Sequence, residues 1–339
     1  MNKTNIEWAT LSANPLKYRR KSDGKVVWAC VKTSPGCAHC YAESIALRFD
    51  RGRLFSAKNM EEVEPFLDEK ELQKILTAKT IGGVPVSGSK CFLGDMTDVF
   101  GEWVPDALLD RLFAVMACRR DVTFQILTKR AERMAEYFES RSKSAKFWKD
   151  AANSFGYSLE FQGISLVPFP LPNLWLGVSV ENQEQANKRI PHLLKVPAAV
   201  RFLSVEPMLG PVELRRIPVP TYPGVKFDSL LTRGKGAWGT GARIDWVVCG
   251  GESGHGARPC NVEWIRSIVR QCREAGVACF AKQLGSRPVE SLATFDFKRW
   301  PAETAWGERD GVASIFVDDP KGGDMSEWPE DLRVREFPQ

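Results

Sequence analysis

The stretch "KVVWACVKTSPGCAHCYAESIALRFD" spans residues 25–50. Its reading decides the fold. An apolar run at 25–29 predicts a strand. A loop carrying three cysteines follows, and "YAESIALRFD" continues as a helix. Three of the chain's nine cysteines, Cys30, Cys37 and Cys40, fall within eleven residues, separated by six and then two. Pro35 and Gly36 in "TSPG" supply turn chemistry just before Cys37.

The same rhythm of apolar strand, polar strand end and amphipathic helix recurs along the chain. The strands are "KCFLGD" (90–95), "VTFQILTK" (122–129), "NLWLGVSV" (173–180), "AVRFLSVEP" (199–207), "IDWVVCGGES" (244–253) and "VACFAKQLG" (277–285). Helices are expected at 105–119, from Ala131, after Asn182 and at 262–276, the last ending in glycine as helix C-termini often do. Apolar strands alternating with helices predict a parallel sheet buried on both faces. Six or seven such units suggest an α/β protein built on a partial or complete (β/α) barrel. No GxGxxG opens the first unit, which argues against a dinucleotide-binding domain. Residues 1–285 are expected to form the barrel, with insertions at 139–172 and 212–243. Residues 286–339 are expected to pack on it as a C-terminal extension.

In parallel α/β folds the site lies beyond the carboxyl ends of the strands. Those ends carry Cys30, Asp95, Thr128, Lys129, Ser179, Glu181, Glu206, Glu252, Lys282 and Gln283. Singly, any of them reads as a solvated loop residue or a helix cap. Together they suggest a polar mouth.

Composition bounds the function classes. The 339 residues are 43% hydrophobic and 26% charged, which is the balance of a soluble globular chain. No apolar run approaches the roughly 18–20 residues of a membrane span. The N-terminus has no apolar segment of a secretory signal. A cytoplasmic location with reduced thiols is therefore expected, and an odd number of scattered cysteines argues against a disulfide framework. The net charge of +5 permits an anionic partner. Basic residues gather at 17–25 and again at 215–243, where Arg215, Arg216, Lys226, Arg233, Lys235 and Arg243 face Asp228 alone. Each segment reads as a solvated loop, but the second, with "RGKGAWGTGAR", also suits contact with nucleic acid.

The three sulfurs leave alternatives open. Zinc wants four closed ligands, and a fourth would have to be a distant cysteine such as Cys249 or Cys260. Three thiolates without a fourth suit a [4Fe–4S] cluster with one iron open to S-adenosylmethionine. Thiols with no shared ligand are the third reading.

The motifs "IEW", "SPGCAHCYAE", "FQILTKRAERM", "LWLGVSVENQ", "VRFLSVEPMLGPV", "IDWVVCGGESGHGARP", "KQLG" and "EWPEDLRVREFP" run through nearly the whole chain in order. With them the sequence resembles the phage-associated three-cysteine-motif family, which is similar to radical S-adenosylmethionine enzymes. The resemblance implies a [4Fe–4S] cluster on Cys30, Cys37 and Cys40. It implies S-adenosylmethionine as cofactor and an electron donor such as flavodoxin or ferredoxin. His39 takes the aromatic position near the adenine, and Tyr41 follows the last cysteine. Asp95 falls where the methionyl amine is contacted. Ser179 and Glu181 fall at ribose and carboxylate contacts, and Glu206 and Glu252 face the same mouth. The first gap of six residues departs from the usual three. The stretch "LKYRRKSDGKVVW" stands where family members run quickly from Asn-Pro to the first cysteine. The implied substrate is an amino-acid-bearing thymine in phage DNA, and the implied reaction a rearrangement by an isomerase. The rival reading is a zinc-stabilised nucleic-acid-binding protein; a third is the same radical chemistry on a free nucleoside, RNA or peptide.

Two residues carry candidate catalytic roles. Cys249 ends an apolar strand and reads either as a small buried hydrophobe or as a hydrogen-atom donor in the mouth. Lys282 ends the last strand and suits a carboxylate or phosphate.

Overall fold

Runs such as Cys91–Phe92–Leu93 and Phe124–Gln125–Ile126 are buried at every residue, so successive side chains are covered on both faces of the sheet. That pattern belongs to parallel strands with layers on each side. The computed structural model describes residues 1–49, 54–141, 146–154, 170–231 and 242–339. The chain forms two units, Met1–Gly177 with Val196–Ala199, and Val178–Lys195 with Val200–Gln339.

In the first unit, Leu11–Ala13, Lys90–Leu93 and Thr123–Thr128 are neighbouring parallel strands. Leu174–Ser179 comes next in the sheet order. The helix Asp106–Cys118 starts after Pro105, which occupies its N-cap position, and buries Leu109, Leu112, Phe113 and Met116. The helix Ala131–Arg141 follows the strand Thr123–Thr128, and its Tyr137 and Phe138 pack on Phe113.

The strand expected at 25–29 takes a different form. Val26–Val27 pairs antiparallel with Tyr18–Arg19, in a separate three-stranded sheet with Leu16–Arg20 and Val63–Leu67. Val26 is exposed and Val27 buried, the alternation of a strand covered on one face. The first parallel strand is Leu11–Ala13, which ends at Asn14 and Pro15. The cysteine loop therefore follows this small antiparallel sheet rather than the first parallel strand.

In the second unit, Val200–Val205, Trp246–Gly250 and Ala278–Gln283 are parallel neighbours. Helix Val262–Ala275 joins the last two and stops at Gly276, whose φ of 62° is left-handed. Gly251 has to be glycine for a different reason: a Cβ there would meet the Leu284 carbonyl oxygen at 2.2 Å. The outer edge of Ala278–Gln283 is occupied. Ala281 N–H donates to Val334 O and Glu336 N–H to Cys279 O, both at 2.8 Å, so the C-terminal tail lies antiparallel along that strand. Among the described residues no closed barrel is seen. Residues 286–339 are part of the second unit, because Pro288–Ser291 also pairs with Cys260–Asn261.

Most of the insertion expected at 139–172 lies outside the described residues; the part that is described includes the helix Lys146–Ser154. In the 212–243 segment, Arg233 and Lys235 lie outside them as well. Among the described residues no helix is long and apolar enough to cross a membrane.

Candidate metal centre

The cysteine loop is built from three short pieces. Cys30 follows buried Ala29. Pro35–Cys37 forms one 3₁₀ turn, with Cys37 N–H donating to Ser34 O at 2.9 Å. Cys40 precedes helix Tyr41–Phe49, and its carbonyl accepts the Ser44 N–H. All three thiols are half-buried and free of disulfides.

Each sulfur has its own surroundings. Burial pushes the Cys30 thiol up to about 12; the negative charge of Asp98 adds to this and the Arg130 guanidinium opposes it. Burial also raises Cys40, against the helix N–H groups of Glu43 and Ala42 and the positive charge of Lys129. A helix N-terminus and nearby cations are the usual stabilisers of a thiolate. Cys37 meets Ser34 Oγ at 4.0 Å. The sulfurs sense one another, since Cys40 raises Cys30 and Cys37 raises Cys40.

The chain on both sides of Cys30 is held by side chains from strand ends. Thr97 Oγ1 donates to Ala29 O at 2.8 Å. Arg130 Nη2 donates to Val31 O at 2.8 Å. Arg130 is only 5% exposed and pairs with Asp98 at 3.1 Å and Glu102 at 2.6 Å. Its guanidinium lies 4.5 Å from the Trp103 ring. The Trp103 indole donates to Tyr18 Oη at 2.8 Å, and that hydroxyl meets Thr97 Oγ1 at 3.0 Å. Asp98 also accepts from Thr128 Oγ1, Lys129 N–H and Phe100 N–H. Thr97, Asp98, Trp103 and Arg130 were not singled out by the sequence reading, although "GDMTD" and "LTKR" contain three of them. The signal for those three, Thr97, Asp98 and Arg130, was position, one to three residues beyond strand ends already marked by Asp95 and by Thr128 with Lys129.

Tyr41 and Asp95 come together: the exposed Tyr41 hydroxyl donates to the Asp95 carbonyl oxygen. Asn14 Nδ2 donates to the Asp95 carboxylate, whose pKa is raised, chiefly by burial. His39 is exposed between Cys37 and Cys40.

The remaining strand-end residues belong to the second unit, and most are engaged. Glu181 has no exposed side-chain surface and pairs with Arg189 at 2.8 Å. The same guanidinium nitrogen donates to Ser179 O at 2.7 Å. Glu252 takes two side-chain hydrogen bonds from Arg258. Lys282 Nζ donates to Glu206 Oε1 at 2.7 Å, and both side chains keep some exposure. Cys249 is fully buried beside Cys272 and Cys279, so it does not reach a mouth and takes the buried-hydrophobe reading. Arg215 pairs with Asp228 at 2.8 Å and Glu274 at 2.7 Å. The acid on helix Val262–Ala275 was not foreseen as its partner. Arg216 is exposed, and half-buried Arg243 lies 3.6 Å from Asp245.

Among the described residues, no group of three or more His, Cys, Asp or Glu side chains is arranged to hold a metal ion. The donor chemistry nevertheless fits a thiolate-bound group: three soft sulfurs within electrostatic reach of one another, flanked by Lys129 and Arg130. A family model described as "Protein of unknown function (DUF5131)" matches residues 3–311. The chain belongs to that family. No curated protein and no solved structure matches it.

Proposed function

We propose that this chain is a radical S-adenosylmethionine enzyme on a partial (β/α) barrel, with Cys30, Cys37 and Cys40 as ligands of one [4Fe–4S] cluster. The observation that supports this most is the cysteine loop itself. Cys30 is fixed by Thr97 and Arg130 acting on its two neighbours, and Cys40 stands at a helix N-terminus. When bound, such a cluster supplies the electron that cleaves a carbon–sulfur bond of S-adenosylmethionine and yields a 5′-deoxyadenosyl radical.

The chain's own residues have definite tasks under this reading. Lys129 and Arg130 offset the negative charge of bound thiolates. Asp95 carries a carboxyl whose ionisation is penalised by burial, and a cationic amine is the partner that offsets that penalty. A nucleobase in DNA, an amino-acid-bearing thymine undergoing rearrangement, is the substrate class we favour. Exposed Arg216 supports it. Arg215 contributes less, because two carboxylates neutralise it. A base in duplex DNA would have to be flipped out to react.

Anaerobic reconstitution with iron and sulfide tests the chemistry. A brown protein absorbing near about 400 nm, with the band lost on Cys37→Ala, is expected. Reduced protein with S-adenosylmethionine should then release 5′-deoxyadenosine. A colourless chain holding stoichiometric zinc would overturn the cluster in favour of a zinc-stabilised binding protein.

A further inference from the structure

We infer that Arg130 is the positioning residue of the cysteine loop, and that with Thr97 it presets Cys30 for metal binding. The inference rests on the reading of Cys30, Cys37 and Cys40 as a ligand set and assigns a device that makes a six-residue gap workable. A loop of this length between two ligands loses more freedom on closing than a shorter one. Fixing one end beforehand removes part of that loss from the binding step.

Arg130 and Thr97 act on the carbonyls of the two residues that flank Cys30. Thr97 grips the residue before it, Ala29, and Arg130 the residue after it, Val31. The guanidinium is itself over-determined. Nη1 goes to Asp98, Nε to Glu102 and Nη2 to Val31 O, while the plane rests on Trp103. Only a planar fork with several donors satisfies these directions at once, and a lysine ammonium does not. Trp103 and Thr97 meet at the Tyr18 hydroxyl, so both grips share one buried support. Neither Arg130 nor Thr97 supplies a ligand atom; they act through the main chain of Cys30.

The test is anaerobic titration of the full-length metal-free protein with Cd²⁺, followed by the thiolate-to-metal charge-transfer band. Arg130→Lys keeps the positive charge but not the fork. Thr97→Val keeps the shape but not the donor. Arg111→Lys, at the exposed pair with Glu69, is the control. Supporting groups around a metal site usually account for about 10–100-fold in affinity. Arg130→Lys should therefore weaken Cd²⁺ binding at least tenfold, Thr97→Val should weaken it in the same direction, and Arg111→Lys should match wild type. If Arg130→Lys fails to fold, Thr97→Val decides. Wild-type affinity in the folded variants overturns the inference and leaves the ligand set standing. A wild-type chain with no thiolate band overturns the ligand set itself.

Discussion

Replacing Asp98 by alanine removes the acceptor on which four donors converge. Oδ1 accepts from Thr128 Oγ1 at 2.6 Å and from Phe100 N–H at 3.1 Å. Oδ2 accepts from Lys129 N–H at 2.9 Å and from Arg130 Nη1 at 3.1 Å. Both members of the ion pair are nearly buried, at 5% and 8% exposure. A hydrogen bond to a charged group is worth about 1.5–3 kcal/mol and a neutral one about 1. The four bonds are not additive; removing one partner of a buried pair costs about 3–5 kcal/mol, and because Arg130 keeps Glu102 the loss should lie at the lower end, about 3 kcal/mol, roughly a hundredfold in a local opening equilibrium. Asparagine gives a graded control. Turned so that its oxygen faces Lys129 and Arg130, the amide gives up chiefly the Phe100 bond, for about 1 kcal/mol. Hydrogen exchange mass spectrometry over 98–104 and 129–134 reads both variants. Alanine should speed exchange there far more than asparagine, leaving the helix Val262–Ala275 as in wild type. Equal exchange in wild type and Asp98→Ala would refute the claim that this carboxylate organises the cysteine loop. The Cys30 thiol should also alkylate faster in Asp98→Ala, because a negative charge that raises its pKa is gone while Arg130 remains.

Glu290 is fully buried and, among the described residues, neither carboxylate oxygen accepts a hydrogen bond; Arg266 Nη1 lies 3.6 Å from Oε1. Burial raises its pKa, and the Arg266 charge opposes this. A raised carboxyl pKa means the charged form is the one the fold penalises: the cost is full above the folded pKa and fades as pH falls through it towards the unfolded value. Glu290→Gln should therefore raise stability at pH 7.5, a gain that shrinks towards acid pH in thermal melts; a gain that grows on acidification would contradict this. Arg216→Ala should reduce the salt slope of DNA binding by about one unit, whereas Arg215→Ala should lower stability with little change in slope. Equal slopes for the two variants would mean that the Asp228 and Glu274 pairs do not hold Arg215 back. Cys249→Ala should cost about 1–2 kcal/mol by opening a small cavity in the core, read in thermal melts; unchanged stability would contradict its full burial.

The sequence by itself located six parallel strands and most of the helices, because buried apolar runs and end signals such as Asn182 and Gly276 are local properties. It also isolated the cysteine loop and the stretch before it. It misassigned Val26–Val27, since a run of apolar residues does not say whether one face or two will be covered. The function of charged strand-end residues was equally beyond its reach. Glu181 and Glu252 read as mouth residues, and Arg215 as a nucleic-acid contact, until partners eight, six and up to 59 positions away closed on them. Arg130 is the converse case. Only its place one residue beyond an expected strand end marks it in the sequence, and its meaning comes from Val31 O, 99 residues distant. Periodicity and turn chemistry fix which elements form. Which charges are spent within the fold and which remain for a ligand is decided by long-range contacts, and only the tertiary structure supplies those.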